Sequence, residues 1–243
     1  MIKINTMKNI FAYLLLIVSI GLFAQDKTYQ FLYDYQQKGE LSPEVKKKNP
    51  SHITEMATEA LNKVYEFEVL VNQNYSLVKI LPRVNNNQSG NYLEILPEPS
   101  CLFIDLEKNE LYEQYDNLYI KEIIQDFKFI PTKNKKAILG LEAREFKYED
   151  EHKLHSIWLA KQNNLTVSPT YFQPKGYLVM LYHVFDKGMA KNGGNREFTY
   201  QLKEIKEIKS TDLSNQIPKK SILKKEFDDR KKVLMEENGV DFK

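Results

Sequence analysis

The sequence predicts a mainly β fold of the α+β class: a curved antiparallel sheet with one helix packed on it and a second helix at the C-terminus. Stretches in which apolar and polar residues alternate recur along the chain, as they do in half-buried strands. Only two segments show helical periodicity. The 243 residues include 15 Tyr and 13 Phe, which favour strands, and the 42% apolar content excludes a disordered chain.

The first strand and the first helix follow each other near the N-terminal end. Residues 29–36 predict a strand, because aromatic residues occupy every second position: Tyr29, Phe31, Tyr33 and Tyr35. From Ser51 the apolar residues recur at helical spacing instead, which predicts a helix over 51–64. Its apolar stripe consists of Ile53, Met56, Ala57, Ala60, Leu61 and Val64. We expect this stripe to be buried against the sheet.

The following elements are predicted to be strands that pair as neighbours. Alternation over 65–71, a turn at 72–74 and a second apolar run over 75–81 predict a hairpin. A polar loop at 85–91 comes next. Shorter strands are then predicted at residues 92–96, 102–106, 110–115, 118–124 and 127–130.

The second half of the chain predicts the centre of the sheet. A strand over 141–148 turns at 149–152 and returns over 154–160. Residues 177–185 are apolar on both faces, which indicates a central strand, and a last strand follows over 197–205. Ser221–Asn238, rich in Lys and Glu, predicts an amphipathic C-terminal helix. The sequence leaves open whether this helix docks or is a solvated tail.

The N-terminal segment has the composition of a secretory signal peptide. Lys3 and Lys8 precede an apolar run that ends at Ala24, and this run is shorter than the roughly 20 residues of a spanning helix. An uncleaved anchor is the alternative, and Met1 or Met7 can be the start. No cysteine lies near Ala24, so we predict a periplasmic or outer-membrane-associated protein that is not a lipoprotein and has no stable span after cleavage.

The predicted domain organisation is a signal peptide (1–24), one β-rich domain (25–209), and a polar linker with the C-terminal helix (210–243). Removing residues 1–24 removes two lysines and no acid, so the net charge falls from +2 to zero. A neutral chain is a poor nucleic-acid binder, because such proteins present a basic face. We therefore predict no nucleic-acid partner.

The sequence indicates no catalytic residue, metal ligand or cofactor. His152 and His155 follow three acidic residues, and on a helix their spacing could bind a metal. The segment instead predicts a hairpin turn, in which positions three apart point to opposite faces, so we expect an exposed polar turn. His183 lies within the apolar strand 177–185, where we expect it to be buried and hydrogen-bonded.

Three segments of the chain resemble the GLPGLI family of exported Bacteroidetes proteins, which has no established biochemical function. They are Ile138–Arg144 with Gly140, Leu154–Ala160 with Trp158, and Pro174–Leu181. Leu159 stands where the family has Tyr, and Lys175 separates the Pro174 and Gly176 of the signature. More distantly, the chain is similar in fold to lipoprotein carriers, in which a curved sheet wraps a helix and cradles lipid.

These observations leave three hypotheses for the function. The first is an exported, non-enzymatic binding or interaction module of the cell envelope. The second is a lipid or lipoprotein carrier whose apolar groove is lined by Phe31, Tyr33, Phe67, Met56 and Leu61. The third is an envelope hydrolase with a dispersed site. The expected partner is an unknown envelope protein or an apolar ligand. The aromatic residues could instead form a closed core without a groove.

Overall fold

The structure, a computed structural model, describes residues 27–81, 101–115, 117–124, 126–162, 165–187 and 194–237. The predicted signal peptide, polar loop 85–91 and strand 92–96 lie outside these residues. Twelve strands form one sheet in the order β12-β6-β5-β4-β3-β2-β1-β11-β10-β9-β8-β7. Neighbouring strands are antiparallel, except that β12 is parallel to β6. The prediction of a mainly β fold is confirmed.

The bounds of the elements are as follows. The strands are β1 (Thr28–Glu40), β2 (Lys63–Val71), β3 (Tyr75–Ile80), β4 (Cys101–Asp105), β5 (Glu110–Tyr115), β6 (Leu118–Ile123), β7 (Ile130–Ile138), β8 (Leu141–Glu149), β9 (Lys153–Lys161), β10 (Tyr177–Asp186), β11 (Asn195–Ile208) and β12 (Ile222–Leu223). The helices are α1 (Pro43–Lys48), α2 (Ser51–Leu61) and α3 (Lys224–Glu237), with a 3-10 turn at Leu213–Gln216.

The alternating aromatic face of β1 lies in the core, as alternation predicts. Tyr29, Phe31, Tyr33 and Tyr35 are at most 2% exposed, and they pack with the matching face of β2. The Tyr33 hydroxyl donates a hydrogen bond to the Val179 carbonyl oxygen at 2.7 Å. Since β11 separates β1 from β10, this bond links two strands that are not neighbours in the sheet.

The segment between β9 and β10 covers this core face. Leu165, Val167 and Phe172 belong to the same packed cluster as Phe31 and Phe67. A hydrogen bond of 2.7 Å from the Tyr171 hydroxyl to Glu113 ties the segment to the distant strand β5. The chain therefore covers much of this core face of the sheet with its own apolar side chains.

The predicted strand at 127–130 is wrong, because residues 126–129 pair with no neighbouring strand. Ile130 instead begins β7, which continues to Ile138. Phe127 and Phe129 turn their rings towards Phe172, with centroid distances of 5.6 and 4.5 Å. Phe127 and Phe129 therefore pack against Phe172, although their alternating spacing in the sequence favours a strand.

The prediction that the apolar stripe of a helix over 51–64 is buried is also wrong. The helix ends at Leu61, so Val64 lies in β2, where it is 54% exposed. Ile53 and Met56 remain 45% and 46% exposed. The helix meets the sheet at its C-terminal end, where Leu61 approaches Gly39: a Cβ on Gly39 would lie 3.1 Å from the Leu61 Cβ. The Asn62 side-chain amide also donates to the Gly39 carbonyl oxygen at 3.1 Å. These contacts hold α2 at the end of β1 and not across the sheet.

The C-terminal segment packs against the sheet at two places: the 3-10 turn contacts β3, and α3 contacts β6 and β12 at the edge opposite β7. Leu213 of the 3-10 turn is fully buried. The rings of Phe227 in α3 and Tyr115 in β5 meet edge to face, with centroids 5.2 Å apart. Val233, one turn and a half further along α3, is 52% exposed. Within the described residues, none of the helices has the length and apolar content needed to cross a membrane.

Candidate functional site

The five residues predicted to line an apolar groove do not come together as one site. Phe31, Tyr33 and Phe67 are neighbours on β1 and β2 and are at most 2% exposed. The cavity beside Phe31 measures about 10 Å³ among the described residues, which is room for a single water at most. Met56 is half-exposed, and Leu61 lies beside Gly39. Gly39 is eight residues from Phe31, or roughly 26 Å along an extended strand.

A larger groove lies elsewhere, on one face of the four strands β7–β10. We call it the β7–β10 groove, and its volume is about 830 Å³, within the range of small-molecule sites. Two rows of directly opposed residues form most of it, and Tyr148 and His155 border it from the other face of β8 and β9. It is lined by Lys128, Ile130, Thr132, Lys147, Tyr148, Glu149, Leu154, His155, Ser156, His183 and Phe185.

The register of the strands explains how these residues meet. Ile130 opposes Lys147, Lys147 opposes Ser156, and Ser156 opposes His183. Glu149, Leu154 and Phe185 form the second row, two positions along each strand. Residues that are opposed, or two apart on one strand, share a face of the sheet. One face therefore combines apolar side chains with hydroxyl, imidazole and charged groups.

The apolar part of the β7–β10 groove is open to solvent. Ile130 is 71% exposed and Leu154 is 39% exposed. Phe185, which directly opposes Leu154, is partly buried. Exposed aliphatic groups beside an aromatic ring offer a ligand apolar surface that water covers in the free protein.

The polar floor of the groove is organised around the Glu145 carboxylate, whose side chain is 8% exposed. It accepts hydrogen bonds from the Ser156 hydroxyl (2.8 Å), the Asn134 amide (2.7 Å) and the Thr132 hydroxyl (3.0 Å). Burial opposes the charged form, but these three donors and the Lys147 ammonium outweigh it and lower the pKa of Glu145. The hydroxyl groups of Ser156 and Thr132 are therefore fixed in orientation before a ligand arrives.

This arrangement also bears on the hydrolase hypothesis. Ser156 is adjacent to His183, whose Nε2 lies 3.2 Å from the Glu197 carboxylate. The Ser156 hydroxyl, however, donates its hydrogen to Glu145 and does not direct it at His183. A serine nucleophile needs a base that takes this proton, usually a histidine. The observed hydrogen bond serves to hold the polar floor in place.

The prediction that His183 is buried is wrong, since its side chain is 38% exposed. The strand β10 is apolar in sequence on both faces, but its His183 side faces the open groove. The hydrogen-bonded state of His183 agrees with the prediction.

The prediction that both histidines lie in an exposed turn is confirmed for His152 and wrong for His155. His152 is exposed, while His155 is 9% exposed because β9 begins at Lys153 and turns His155 inwards. A hydrogen bond of 2.7 Å joins His155 Nδ1 to the Tyr182 hydroxyl, and Nε2 lies 3.2 Å from Asp150. Burial lowers the pKa of His155, against the opposing effect of Asp150. The hydrogen bonds of His155 with Tyr182 and Asp150 therefore stabilise the sheet on the side away from the groove.

A contact at the end of the groove fixes the β8–β9 turn to β10. The Lys187 ammonium lies 3.0 Å from the Glu149 carboxylate. The backbone N–H of Lys187 donates a hydrogen bond to the His152 carbonyl oxygen at 2.7 Å. The groove is consequently bounded by ordered side chains at both its polar floor and its end.

Comparison with known proteins finds no matching family model and no matching curated protein. Among solved structures, PNGF-II in its C2 crystal form is similar at 16% identity, covering 81% of this chain and 30% of that one, with a TM-score of 0.48. PNGF-II in its P21 crystal form is similar at 17% identity, covering 84% of this chain and 32% of that one, with a TM-score of 0.48.

A DUF1329 family protein from Desulfovibrio piger is similar at 8% identity, covering 82% of this chain and 92% of that one, with a TM-score of 0.28. The chain thus spans about a third of PNGF-II. With no family model matching, the resemblance to the GLPGLI family stays a prediction.

Proposed function

We propose that this protein is an exported binding module of the cell envelope whose ligand lies in the β7–β10 groove. The observation that carries the proposal is the juxtaposition of exposed Ile130 and Leu154 with the fixed polar floor at Glu145. Ligand sites combine an apolar lining with a small number of placed polar groups. The ligand class that fits is amphipathic, with an apolar part and a polar or anionic group.

The charges of the groove favour an anionic group on this ligand. Lys128 and Lys147 both line it; the Lys147 ammonium lies 3.8 Å from the Glu145 carboxylate of the polar floor, and Glu149 has Lys187 as its partner at 3.0 Å. Lys128 forms no ion pair within the described part of the chain. An anion that approaches the groove therefore meets an available ammonium group beside apolar surface.

A titration with 1-anilinonaphthalene-8-sulfonate tests the site, because this probe combines apolar rings with one sulfonate. We expect saturable fluorescence enhancement with the native protein. Ile130→Glu should weaken binding about tenfold or more, because it replaces apolar surface in the groove with a negative charge. The measurement is the dissociation constant at neutral pH.

Val233→Glu is the matched control, since Val233 is also β-branched and 52% exposed but lies on α3. It should bind the probe as the native protein does. If both variants bind equally well, the probe does not occupy the groove and the proposed site is wrong. Circular dichroism of both variants shows whether either has lost the fold.

Export is a separate part of the proposal and rests on the signal-peptide pattern before Ala24. The protein recovered from the envelope fraction should have lost residues 1–24, with its N-terminus close to Gln25. Intact-mass measurement distinguishes this product from the full chain. Recovery of a chain that begins at Met1 or Met7 would support the uncleaved anchor instead.

A further inference from the structure

The hydroxyl groups on the floor of the β7–β10 groove have already committed their hydrogens. A serine or threonine hydroxyl has one hydrogen to donate and two lone pairs that accept. Ser156 and Thr132 both donate this hydrogen to the Glu145 carboxylate, at 2.8 and 3.0 Å. An ionised carboxylate only accepts, so neither hydroxyl can turn its hydrogen to a ligand without breaking a bond to a charged group. Both hydroxyl oxygens are therefore left as acceptors.

Of these two oxygens, that of Ser156 has the more open accepting side. The Thr132 oxygen already accepts the backbone N–H of Asn134 at 3.1 Å. Within the residues that the structure describes, no group donates a hydrogen bond to the Ser156 oxygen. Ser156 is also partly exposed where it lines the groove. The polar floor consequently offers a ligand an acceptor at Ser156.

The imidazole beside Ser156 adds a second acceptor. His183 on β10 directly opposes Ser156 on β9, and its Nε2 lies 3.2 Å from the Glu197 carboxylate. A neutral imidazole carries one hydrogen, and beside a carboxylate that hydrogen belongs on Nε2, which leaves Nδ1 as an acceptor. Two opposed residues in the groove therefore have lone pairs, and not hydrogens, with which to bind a ligand.

The neighbouring groups indicate which end of an amphipathic ligand lies at Ser156. The Lys147 ammonium and the Ser156 hydroxyl lie near the same oxygen of Glu145, at 3.8 and 2.8 Å. One small polar end of a ligand can therefore reach both groups. Leu154 is two positions from Ser156 on β9, about 7 Å along the strand and on the same face. The apolar part of the ligand extends in that direction.

We propose, on the basis of the proposed function, that the ligand carries a hydroxyl or amide N–H group next to its polar end and that Ser156 selects it by accepting this hydrogen. A ligand without such a donor would displace water from the Ser156 oxygen and leave a polar atom without a partner. Sites that hydrogen-bond a ligand hydroxyl discriminate against the analogue that lacks it. The ligand class is a hydroxylated or amide-linked amphipathic acid, and not a plain fatty acid.

Isothermal titration calorimetry of the native protein with three acids of equal chain length tests this proposal. Dodecanoate has no donor on its chain, 3-hydroxydodecanoate has a hydroxyl on the third chain atom, and N-nonanoylglycine has an amide N–H there. All three are used at neutral pH below their critical micelle concentrations. We expect at least one of the two donor-bearing acids to bind about tenfold more tightly than dodecanoate. Which of them does so distinguishes a hydroxyl from an amide.

Ser156→Ala assigns the discrimination to this hydroxyl. The variant should bind dodecanoate at least as tightly as the native protein does, because no acceptor is left without a partner. It should bind the three acids with similar affinity. Dodecanoate is thus the internal reference for any change in the shape of the groove, and circular dichroism shows whether the fold is kept. A variant that still prefers a donor-bearing acid about tenfold would overturn the role of Ser156.

Thr199→Val is the matched control, because Thr199 opposes His183 from β11 in the same row of the sheet but lies outside the described lining of the groove. It also removes a hydroxyl and should keep the native discrimination. Loss of discrimination in both variants would mean that the shape of the sheet, and not the Ser156 oxygen, selects the ligand.

The native protein alone can also overturn the proposal. Equal affinities for the three acids would contradict selection by Ser156 and would leave the proposed function intact, since the sulfonate probe and Ile130→Glu test that function separately. Failure to bind any of the three acids would overturn the ligand class, whatever the result with the sulfonate probe.

Discussion

Replacing Phe67 with alanine should destabilise the fold by about 3–5 kcal/mol, the range for removing a large aromatic side chain from a core. Phe67 has no exposed surface and opposes Tyr33 on β1. Its ring centroid lies 5.7 Å from that of Tyr35 and 5.4 Å from that of Tyr200. The cavity left behind would lie where three strands meet. Urea denaturation followed by circular dichroism measures the loss.

Met56→Ala is the control, because sequence patterns assign Met56 and Phe67 to the same groove. At 46% exposure, Met56 should change the free energy of unfolding by no more than about 0.5 kcal/mol. Similar losses in both variants would mean that α2 is docked on the sheet. A fluorescent fatty acid titrated into the native protein tests the carrier hypothesis separately, and saturable binding weakened by Phe67→Trp would support a ligand among the aromatic residues.

The sequence predicts the sheet well because strand periodicity is a local property. The aromatic alternation over 29–36 identifies the buried face of β1, and the apolar run over 177–185 identifies an interior strand. Each of these inferences needs only neighbouring residues and the two-residue repeat of a strand. The observed strands differ from prediction in two ways: β1 and β11 extend further at their ends, and β7 covers residues 131–138, where no strand is predicted.

The errors occur where distant contacts override local periodicity. Helical spacing shows that Ile53 and Met56 share a side of α2, but it does not show that Leu61 and Asn62 hold the helix at Gly39. Phe127 and Phe129 have strand-like spacing and pack on Phe172 instead. Such contacts join segments far apart in the chain, so their effect is invisible in a local pattern.

The β7–β10 groove could not be predicted from the sequence for the same reason. Its first row, Ile130, Lys147, Ser156 and His183, contributes one residue from each of four strands. None of these residues forms a motif with its sequence neighbours. A one-residue change in register would put each on the other face, so the site depends on pairing that alternation alone does not fix.

Replacing Glu145 with leucine should destabilise the protein by about 3 kcal/mol at neutral pH. The substitution keeps a side chain of similar volume, but it removes the acceptor of three hydrogen bonds, from Ser156, Asn134 and Thr132. A partly buried donor that loses its partner costs about 1–3 kcal/mol, and bonds to a charged acceptor are the stronger ones. Water that reaches the groove offsets part of this loss. Urea denaturation near pH 7 measures it.

The pH dependence of this loss distinguishes the carboxylate from simple packing. Hydrogen bonding holds the pKa of Glu145 in the folded protein below its ordinary value of 4.5. Its stabilising contribution is therefore complete above about pH 4.5 and is lost as the pH falls through the folded-state pKa. The difference in stability between the native protein and Glu145→Leu should be largest near neutral pH and should shrink in acid.

Glu142→Leu supplies the control for both measurements, since its side chain is 74% exposed and pairs with Lys135 at the surface. Exposed ion pairs contribute at most about 1 kcal/mol, so this variant should lose little stability at any pH. Asp150, whose pKa is also lowered, titrates in both proteins and cancels from the comparison. A loss in Glu145→Leu that stays constant as the pH falls until the native protein unfolds would mean that packing, and not the charge, fixes the polar floor. The fixed orientation of the Ser156 and Thr132 hydroxyl groups would then not depend on the charge of Glu145.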